Sequence, residues 1–187
     1  MALLHVNFYS RTLERETQMD VILPEAAKKL IGMEGVAARQ CKTLYLLHGM
    51  SDDQTIWQRR TSIERYAAAY GLAVVMPPTD LGWYTDMYRG DKYFAFITRE
   101  LPAVCRRMFG LGAAREQNYI FGLSMGGYGA MKCALTYPGR YAGAASFSGV
   151  CDLRRTVERR SISLHESEIA AIFGEEKAVP PKDDLFV

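Results

Sequence analysis

A G-x-S-x-G motif at residues 122–126 constrains the fold of this chain more than any other feature. It follows a short apolar run, residues 118–121, and opens a segment of helical composition, residues 125–137. A turn that joins a buried strand directly to a helix has no space for side chains beside the serine, which explains glycine at both flanking positions. The sequence therefore predicts a strand–turn–helix unit that holds the Ser124 hydroxyl at the carboxyl end of a sheet, where open α/β sheets bind ligands.

Short apolar runs and amphipathic segments alternate from residue 43 onward. We predict strands at residues 43–47, 72–76, 118–121 and 141–147, and helices at residues 61–70, 92–109 and 125–137. This alternation is typical of a mainly parallel sheet with helices on both faces. Pro102 predicts a kink or a late start of the second helix. Near the N-terminus, two segments of alternating polarity, residues 3–9 and 17–23, predict an antiparallel hairpin at a sheet edge.

Composition excludes several other classes of protein. A length of 187 residues with 49% hydrophobic residues favours one folded domain, and a formal charge of +2 gives no reason to expect nucleic acid or a membrane as a partner. The four cysteines form no C-x-x-C pair, so we expect reduced, mostly buried thiols and no metal site. The N-terminus turns polar too early for a secretory signal, and no apolar run has the length of a membrane span, so a cytoplasmic location is expected.

Two backbone amides are candidates for stabilising an oxyanion beside Ser124. The first is the N–H of Met125, because the first amides of a helix have no partner within it. The second is the N–H of Met50, because His48-Gly49-Met50 ends the predicted strand 43–47 and Gly49 allows the chain to turn toward the serine. We expect His48 to hold this loop by hydrogen bonding and not to act as the catalytic base.

Three long strings, LYLLHGMSDDQTIW, YTDMYRGDKYFAFITRELP and YIFGLSMGGYGAMKCALTYPGRYAGAASFSG, resemble the esterase D and S-formylglutathione hydrolase-like family. The similarity runs from about residue 3 to residue 150 and is greatest to the bacterial tributyrin-esterase and acetylesterase branch. It implies an α/β-hydrolase fold and a cofactor-free serine hydrolase of short-chain acyl esters. Carried onto this chain, the family's nucleophile is Ser124 and its oxyanion donors are Met50 and Met125. Trp57 and Tyr84 fall in loops that border the family's acyl pocket, with an ordinary core position as the alternative for Trp57.

The family's catalytic acid and base follow later strands, which this sequence does not contain. We therefore expect an incomplete α/β-hydrolase domain over residues 1–187, lacking the final strands, with residues 151–187 as a cap-like or connecting segment. A triad of Ser124, Asp152 and His165 is an alternative, although the glutamates near His165 favour a solvated segment. Asp183 and Asp184 have the sequence context of loop residues.

Three functions stay open from the sequence. The first is a serine carboxylesterase that hydrolyses short-chain acyl esters, acetyl or similar, with a small-molecule ester as its partner. Esters of carbohydrates are one candidate class of its substrates. The second is a thioesterase of the S-formylglutathione hydrolase type, which shares the nucleophile and the fold. The third is an inactive truncated scaffold. The acid and base would come from a longer chain, a second polypeptide or a homo-oligomer.

Overall fold

One mixed sheet of six strands organises the part of the chain that the computed structural model describes, residues 1–25 and 41–187. Its spatial order is β1-β2-β4-β3-β5-β6. The strands β3, β4, β5 and β6 are parallel, and β1 and β2 form an antiparallel hairpin that joins the sheet through β2 and β4. The predicted mainly parallel sheet with an N-terminal hairpin at its edge is confirmed. The strands are β1 (Ala2–Ser10), β2 (Arg15–Leu23), β3 (Lys42–Leu47), β4 (Leu72–Met76), β5 (Asn118–Leu123) and β6 (Gly143–Phe147).

Helices connect the parallel strands and continue after β6. A π-helical turn, Phe96–Glu100, lies directly before the helix whose first turn contains Pro102. Proline cannot donate a backbone hydrogen bond, so the regular ladder is interrupted where the sequence predicted a disturbance. The helices are α1 (Ile56–Arg60), α2 (Ile63–Tyr70), α3 (Tyr93–Ala95), α4 (Leu101–Phe109), α5 (Met125–Thr136), α6 (Leu153–Glu158) and α7 (Glu166–Phe173).

The sheet separates two hydrophobic clusters. Alternate residues of a strand point to opposite faces, so Leu44 and Leu46 enter one cluster while Tyr45 and Leu47 enter the other. The smaller cluster is covered by α2, and the larger one contains buried residues of α4, α5 and α7. Helices therefore lie on both faces, as the sequence predicts.

The sequence assigned the inward faces of two helices partly wrongly. The helical spacing of residues 61–70 places Tyr66 and Tyr70 on the same side as Ile63, but they are 58% and 78% exposed, because α2 packs through Ile63, Ala67 and Ala68. The spacing of residues 92–109 predicts that Met108 faces inward, but it is exposed, and the neighbouring Phe109 packs against the larger cluster instead.

The segment after β6 packs onto the helix that follows Ser124. Leu153, Ile169, Phe173 and other apolar residues of this segment belong to the larger cluster. Asp183 was expected to be an ordinary loop residue, and that expectation is wrong: it is 4% exposed and forms an ion pair with the equally buried Lys132 of α5. Asp184 is also buried and pairs with Arg154 at 2.5 Å. The cap-like or connecting role of residues 151–187 stays a prediction.

Strand β6 forms the second edge of the described sheet. None of its residues is buried, and Phe147 is 47% exposed.

All four cysteines are free thiols, of which Cys105 and Cys133 are buried and Cys151 is exposed. The glycines and small residues within residues 25–40 predict a loop or a short irregular helix. Residues 26–40 lie outside the described part of the chain. Within the described ranges, no helix combines the length and apolar character that crossing a membrane requires.

Candidate active site

Ser124 occupies the turn between β5 and α5 in a strained backbone conformation. Its φ is +53° and its ψ is −114°, a combination that residues with a side chain rarely adopt. The Ser124 amide donates a hydrogen bond of 2.8 Å to the carbonyl oxygen of Phe147 at the end of β6. The side chain is half-buried. The strand–turn–helix geometry that the motif predicts is therefore present around Ser124.

The glycines on either side of the serine are required by close backbone contacts. A Cβ on Gly122 would lie 2.1 Å from the carbonyl oxygen of Gly126. A Cβ on Gly126 would lie 2.5 Å from the carbonyl oxygens of Leu47 and His48. No side chain fits at these distances, so the turn brings α5 directly against the end of β3.

Sheet register places the loop after β3 beside Ser124. Leu47 of β3 pairs with Gly122 of β5 in parallel, so both strands end at the same edge. A Cβ on Gly49 would lie 3.7 Å from the Cβ of Ser124. Met50 follows in this loop and Met125 is the first residue of α5. Neither backbone amide donates a hydrogen bond to any residue in the described ranges, which leaves both N–H groups available. Their role as oxyanion donors stays a prediction.

His48 has a structural position in this loop. It is 1% exposed, and its Nε2 accepts a 3.0 Å hydrogen bond from the amide of Thr79. Because Nε2 is an acceptor, the proton is on Nδ1, which donates to the carbonyl oxygen of Gly49 at 2.7 Å. Burial lowers the pKa of His48, which keeps the ring neutral. The expectation that His48 holds this loop by hydrogen bonding is confirmed, and the expectation that it is not the base stays a prediction.

Tyr84 does not lie at a pocket rim, contrary to expectation. It is completely buried, with its ring against Gly129 of α5, where an added Cβ would approach within 2.4 Å. Its hydroxyl donates a 2.9 Å hydrogen bond to the carbonyl oxygen of His48. Tyr84 therefore supports the loop of Met50 from the protein interior, and it does not contact solvent or a substrate entering from solvent.

Trp57 lies at the carboxyl edge of the sheet. It is half-buried on α1, and its Nε1 donates a 3.2 Å hydrogen bond to the carbonyl oxygen of Leu47. Its ring meets the ring of Phe147 edge to face, with centroids 6.4 Å apart. These contacts place Trp57 on the same edge as Ser124, and a role in the acyl pocket stays a prediction.

The alternative triad receives no support from the geometry. Asp152 caps α6 by accepting a hydrogen bond from the Arg155 amide at 3.0 Å. His165 is exposed at the start of α7, where its amide donates to Glu168. Among the described residues, no hydrogen bond or ion pair joins Ser124, Asp152 and His165. No group of three or more histidine, cysteine, aspartate or glutamate residues in the described ranges could hold a metal ion.

Asp52 is a site residue that the sequence analysis missed. A Cβ on Gly49 would lie 3.1 Å from Asp52 Oδ2 and 3.7 Å from the Ser124 Cβ, so the carboxylate and the serine are both neighbours of Gly49. Asp52 also lines a polar cavity of about 320 Å³ with Asp53, Gln54 and Asp80. The sequence did contain a signal for these carboxylates, because Asp52 and Asp53 come two and three residues after Met50. The sequence alone does not show toward which part of the protein their side chains point.

Strained residues follow each of the parallel strands. A positive φ costs on the order of 1–3 kcal/mol for a residue with a side chain and tends to be found at functional sites. Four such residues lie a few positions after the ends of β3, β4, β5 and β6: Ser51, Asp80, Ser124 and Ser148. The strain thus collects at the carboxyl edge of the sheet, around Ser124.

A family model described as "Putative esterase" matches residues 10–184, nearly the whole chain. The chain belongs to this esterase family. It is 34% identical over 149 residues to an acetyl esterase of Caldicellulosiruptor saccharolyticus, covering 79% of this chain and 56% of that protein. It is 27% identical to an S-formylglutathione hydrolase of Mus musculus, covering 60% of this chain and 48% of that protein.

Solved structures of the esterase family have the same fold. FphF, a fluorophosphonate-binding serine hydrolase of Staphylococcus aureus, superposes with a TM-score of 0.85 at 34% identity, covering 99% of this chain and 71% of that one. An S-formylglutathione hydrolase of the same organism, FrmB, gives a TM-score of 0.81. The predicted α/β-hydrolase fold and the predicted family are confirmed. The chain spans about half the length of the curated relatives it matches.

Proposed function

We propose that this chain carries the nucleophile of a serine carboxylesterase that hydrolyses short-chain acyl esters through an acyl-enzyme on Ser124. The observation that carries the proposal is the backbone of Ser124, held at a φ of +53° between a buried strand and a glycine-rich helix. The turn also brings the Ser124 side chain beside the loop of Gly49, where a Cβ added to the glycine would lie 3.7 Å from the Ser124 Cβ.

The reaction would proceed in two acyl-transfer steps. A general base takes the proton from Ser124 Oγ as the oxygen attacks the ester carbonyl carbon. The amides of Met50 and Met125 donate hydrogen bonds to the carbonyl oxygen as it becomes negative, each worth about 3 kcal/mol in the transition state. The C–O bond to the alcohol breaks, the alcohol leaves with the proton, and water then hydrolyses the acyl-enzyme.

The general base would come from residues outside these 187, on the same or a second polypeptide chain. The histidines of the described ranges have other partners: His5 binds Asp20, His48 binds Gly49 and Thr79, and His165 begins α7. The relatives are about twice as long as their match to this chain, which is consistent with an acid and a base beyond it. Assembly with a second copy would be another source of these groups.

An acetyl or similar acyl group on a polar alcohol is the substrate class we favour. The cavity lined by Asp52, Asp53 and Asp80 borders the loop of Met50, and its carboxylates can accept hydrogen bonds from hydroxyl groups such as those of a carbohydrate. The similarity to an acetyl esterase supports the same choice. A cytoplasmic location stays a prediction, which fractionation of cells would test.

Hydrolysis of S-formylglutathione is the second candidate, because S-formylglutathione hydrolases are among the relatives. Rates on S-formylglutathione and on acetylated xylo-oligosaccharides, measured with the natural polypeptide that contains this sequence, distinguish the two. A higher kcat/KM on the acetylated sugars is expected. The inactive-scaffold alternative predicts turnover of neither substrate.

Replacement of Ser124 tests the nucleophile itself. Ser124→Ala is expected to abolish turnover of p-nitrophenyl acetate, whereas Ser167→Ala, at an exposed position of α7, is expected to leave it unchanged. Equal turnover by wild type and Ser124→Ala would remove Ser124 from the mechanism.

A further inference from the structure

A second cavity lies at the opposite end of the sheet from Ser124. It has a volume of about 340 Å³, within the usual range of small-molecule sites. Its lining includes Asn118, the first residue of β5, whereas Ser124 follows the last residue of that strand. At about 3.3 Å per residue, Asn118 and Ser124 are separated by roughly 20 Å. The proposed esterase reaction makes no use of this cavity.

Three arginines give the cavity a strong positive charge. Arg99, Arg106 and Arg140 line it, and no aspartate or glutamate is among its described lining residues. None of the three forms an ion pair with a carboxylate of the described residues. All three side chains are exposed, so an anion that enters the cavity can reach guanidinium groups that have no carboxylate partner among the described residues.

One of these arginines is held in place by the protein. The Arg140 Nη1 donates a 2.5 Å hydrogen bond to the carbonyl oxygen of Thr98. Its guanidinium lies over the ring of Tyr137, 4.0 Å from the centroid. Because the Arg140 side chain is already ordered, less of its conformational entropy is lost when a ligand binds.

Two buried tyrosines form the inner wall of the cavity. Tyr45 and Tyr141 are 2% and 5% exposed, and their rings meet edge to face at 6.5 Å. Both line the cavity, and no group of the described residues forms a hydrogen bond with either hydroxyl. Burial raises the pKa of both tyrosines, so each hydroxyl keeps its proton and can donate it.

We propose that this cavity binds the phosphoryl group of a small phosphorylated molecule. Its polar side chains are mainly donors: three guanidinium groups at the mouth and two phenol hydroxyls inside. A phosphoryl group has three acceptor oxygens and up to two negative charges, which match this donor set better than a single carboxylate does. The site is separate from Ser124, so its ligand is not an ester substrate in the course of hydrolysis.

Calorimetric titration of the natural polypeptide that contains this sequence with inorganic pyrophosphate at low ionic strength tests the proposal. Saturable binding with one site per chain is expected for the wild type. Arg106→Gln is expected to weaken binding about tenfold, the effect of losing one charge-assisted hydrogen bond. Arg107→Gln is the matched control, because it removes the same charge from the next residue of α4, which does not line the cavity.

Further variants locate the bound pyrophosphate. Tyr45→Phe removes only the hydroxyl inside the cavity and is expected to weaken binding severalfold, whereas Ser124→Ala is expected to bind as the wild type does. Arg99→Gln replaces Arg106→Gln if circular dichroism shows that the latter does not fold. No saturable binding, or equal weakening by Arg106→Gln and Arg107→Gln, would overturn the proposal.

Discussion

The hydroxyl of Tyr84 donates a hydrogen bond of 2.9 Å to the carbonyl oxygen of His48, which connects the protein core to the loop that carries Met50. The same loop is held by both ring nitrogens of His48, through Gly49 and Thr79. Oxyanion stabilisation depends on donors that are fixed before the reaction begins. We infer that these bonds keep the Met50 amide in position beside Ser124.

Tyr84→Phe is therefore expected to reduce catalysis more than binding. Loss of one hydrogen bond of about 1 kcal/mol behind the loop should lower kcat for acetyl ester hydrolysis several-fold and leave KM nearly unchanged. The measurement is steady-state kinetics of the natural polypeptide that contains this sequence. Tyr66→Phe, at a 58% exposed position, is the control and should have wild-type kinetics. A rise in KM with constant kcat would contradict this role of Tyr84.

Gly122→Ala is expected to destabilise the fold severely, because its Cβ would lie 2.1 Å from the carbonyl oxygen of Gly126. Overpacking of this kind typically costs about 1–3 kcal/mol, and here the obstacle is backbone, which cannot rotate away. Gly139→Ala is a matched control, since no atom lies within 4 Å of its added Cβ. Urea denaturation measures the stability of both variants. Equal denaturation midpoints would show that the turn is less tightly packed than described.

The buried pair of Lys132 and Asp183 predicts a strong dependence of stability on both partners. Lys132→Met leaves the Asp183 carboxylate buried without its ion-pair partner, which is expected to cost about 3–5 kcal/mol. Lys182→Met, at the exposed neighbouring position, should change little. The double variant Lys132→Met with Asp183→Asn is expected to be more stable than Lys132→Met alone. If the double variant lost as much free energy of unfolding as the two single variants together, the two side chains would not interact.

Burial of His48 predicts that stability falls in mild acid. Burial lowers the folded-state pKa of His48 below its ordinary value of 6.5, so the unfolded chain binds the proton more readily. The contribution of His48 is therefore complete above pH 6.5 and decreases as the pH falls from 6.5 toward the lower folded-state pKa. His48→Gln cannot titrate, so its free energy of unfolding should depend less on pH over this range. Identical slopes for variant and wild type would contradict the prediction.

The sequence was sufficient to predict the architecture and the serine. Strand and helix periodicities reflect burial. The four parallel strands were recoverable because each is short, apolar and bounded by turn residues, and the hairpin was recoverable because β1 and β2 alternate polar and apolar residues. The turn at Ser124 was recoverable because only glycine fits its neighbours' positions. The constraint on Gly122 is local, since its obstacle is the carbonyl oxygen of Gly126, whereas Gly126 is constrained by the distant carbonyl oxygens of Leu47 and His48. The motif was recognisable because both constraints leave room for glycine alone.

Contacts between distant segments could not be predicted. The ion pair of Lys132 with Asp183 joins residues 51 positions apart, and the bond from Tyr84 to His48 joins residues 36 apart. Tyr84 was expected in a loop that borders the acyl pocket, yet its ring packs in the interior against Gly129 of α5. Side-chain burial of this kind depends on how helices sit on the sheet, which periodicity does not specify.

The most direct test of the account is the mass of the acyl-enzyme. The natural polypeptide that contains this sequence would be mixed with p-nitrophenyl acetate, quenched in acid within the first turnover, digested and examined by mass spectrometry. We predict one acetyl group on the peptide that contains Ser124, and none on that peptide in Ser124→Ala. Ester turnover with the acetyl group on another residue, or with none on Ser124, would contradict the central claim.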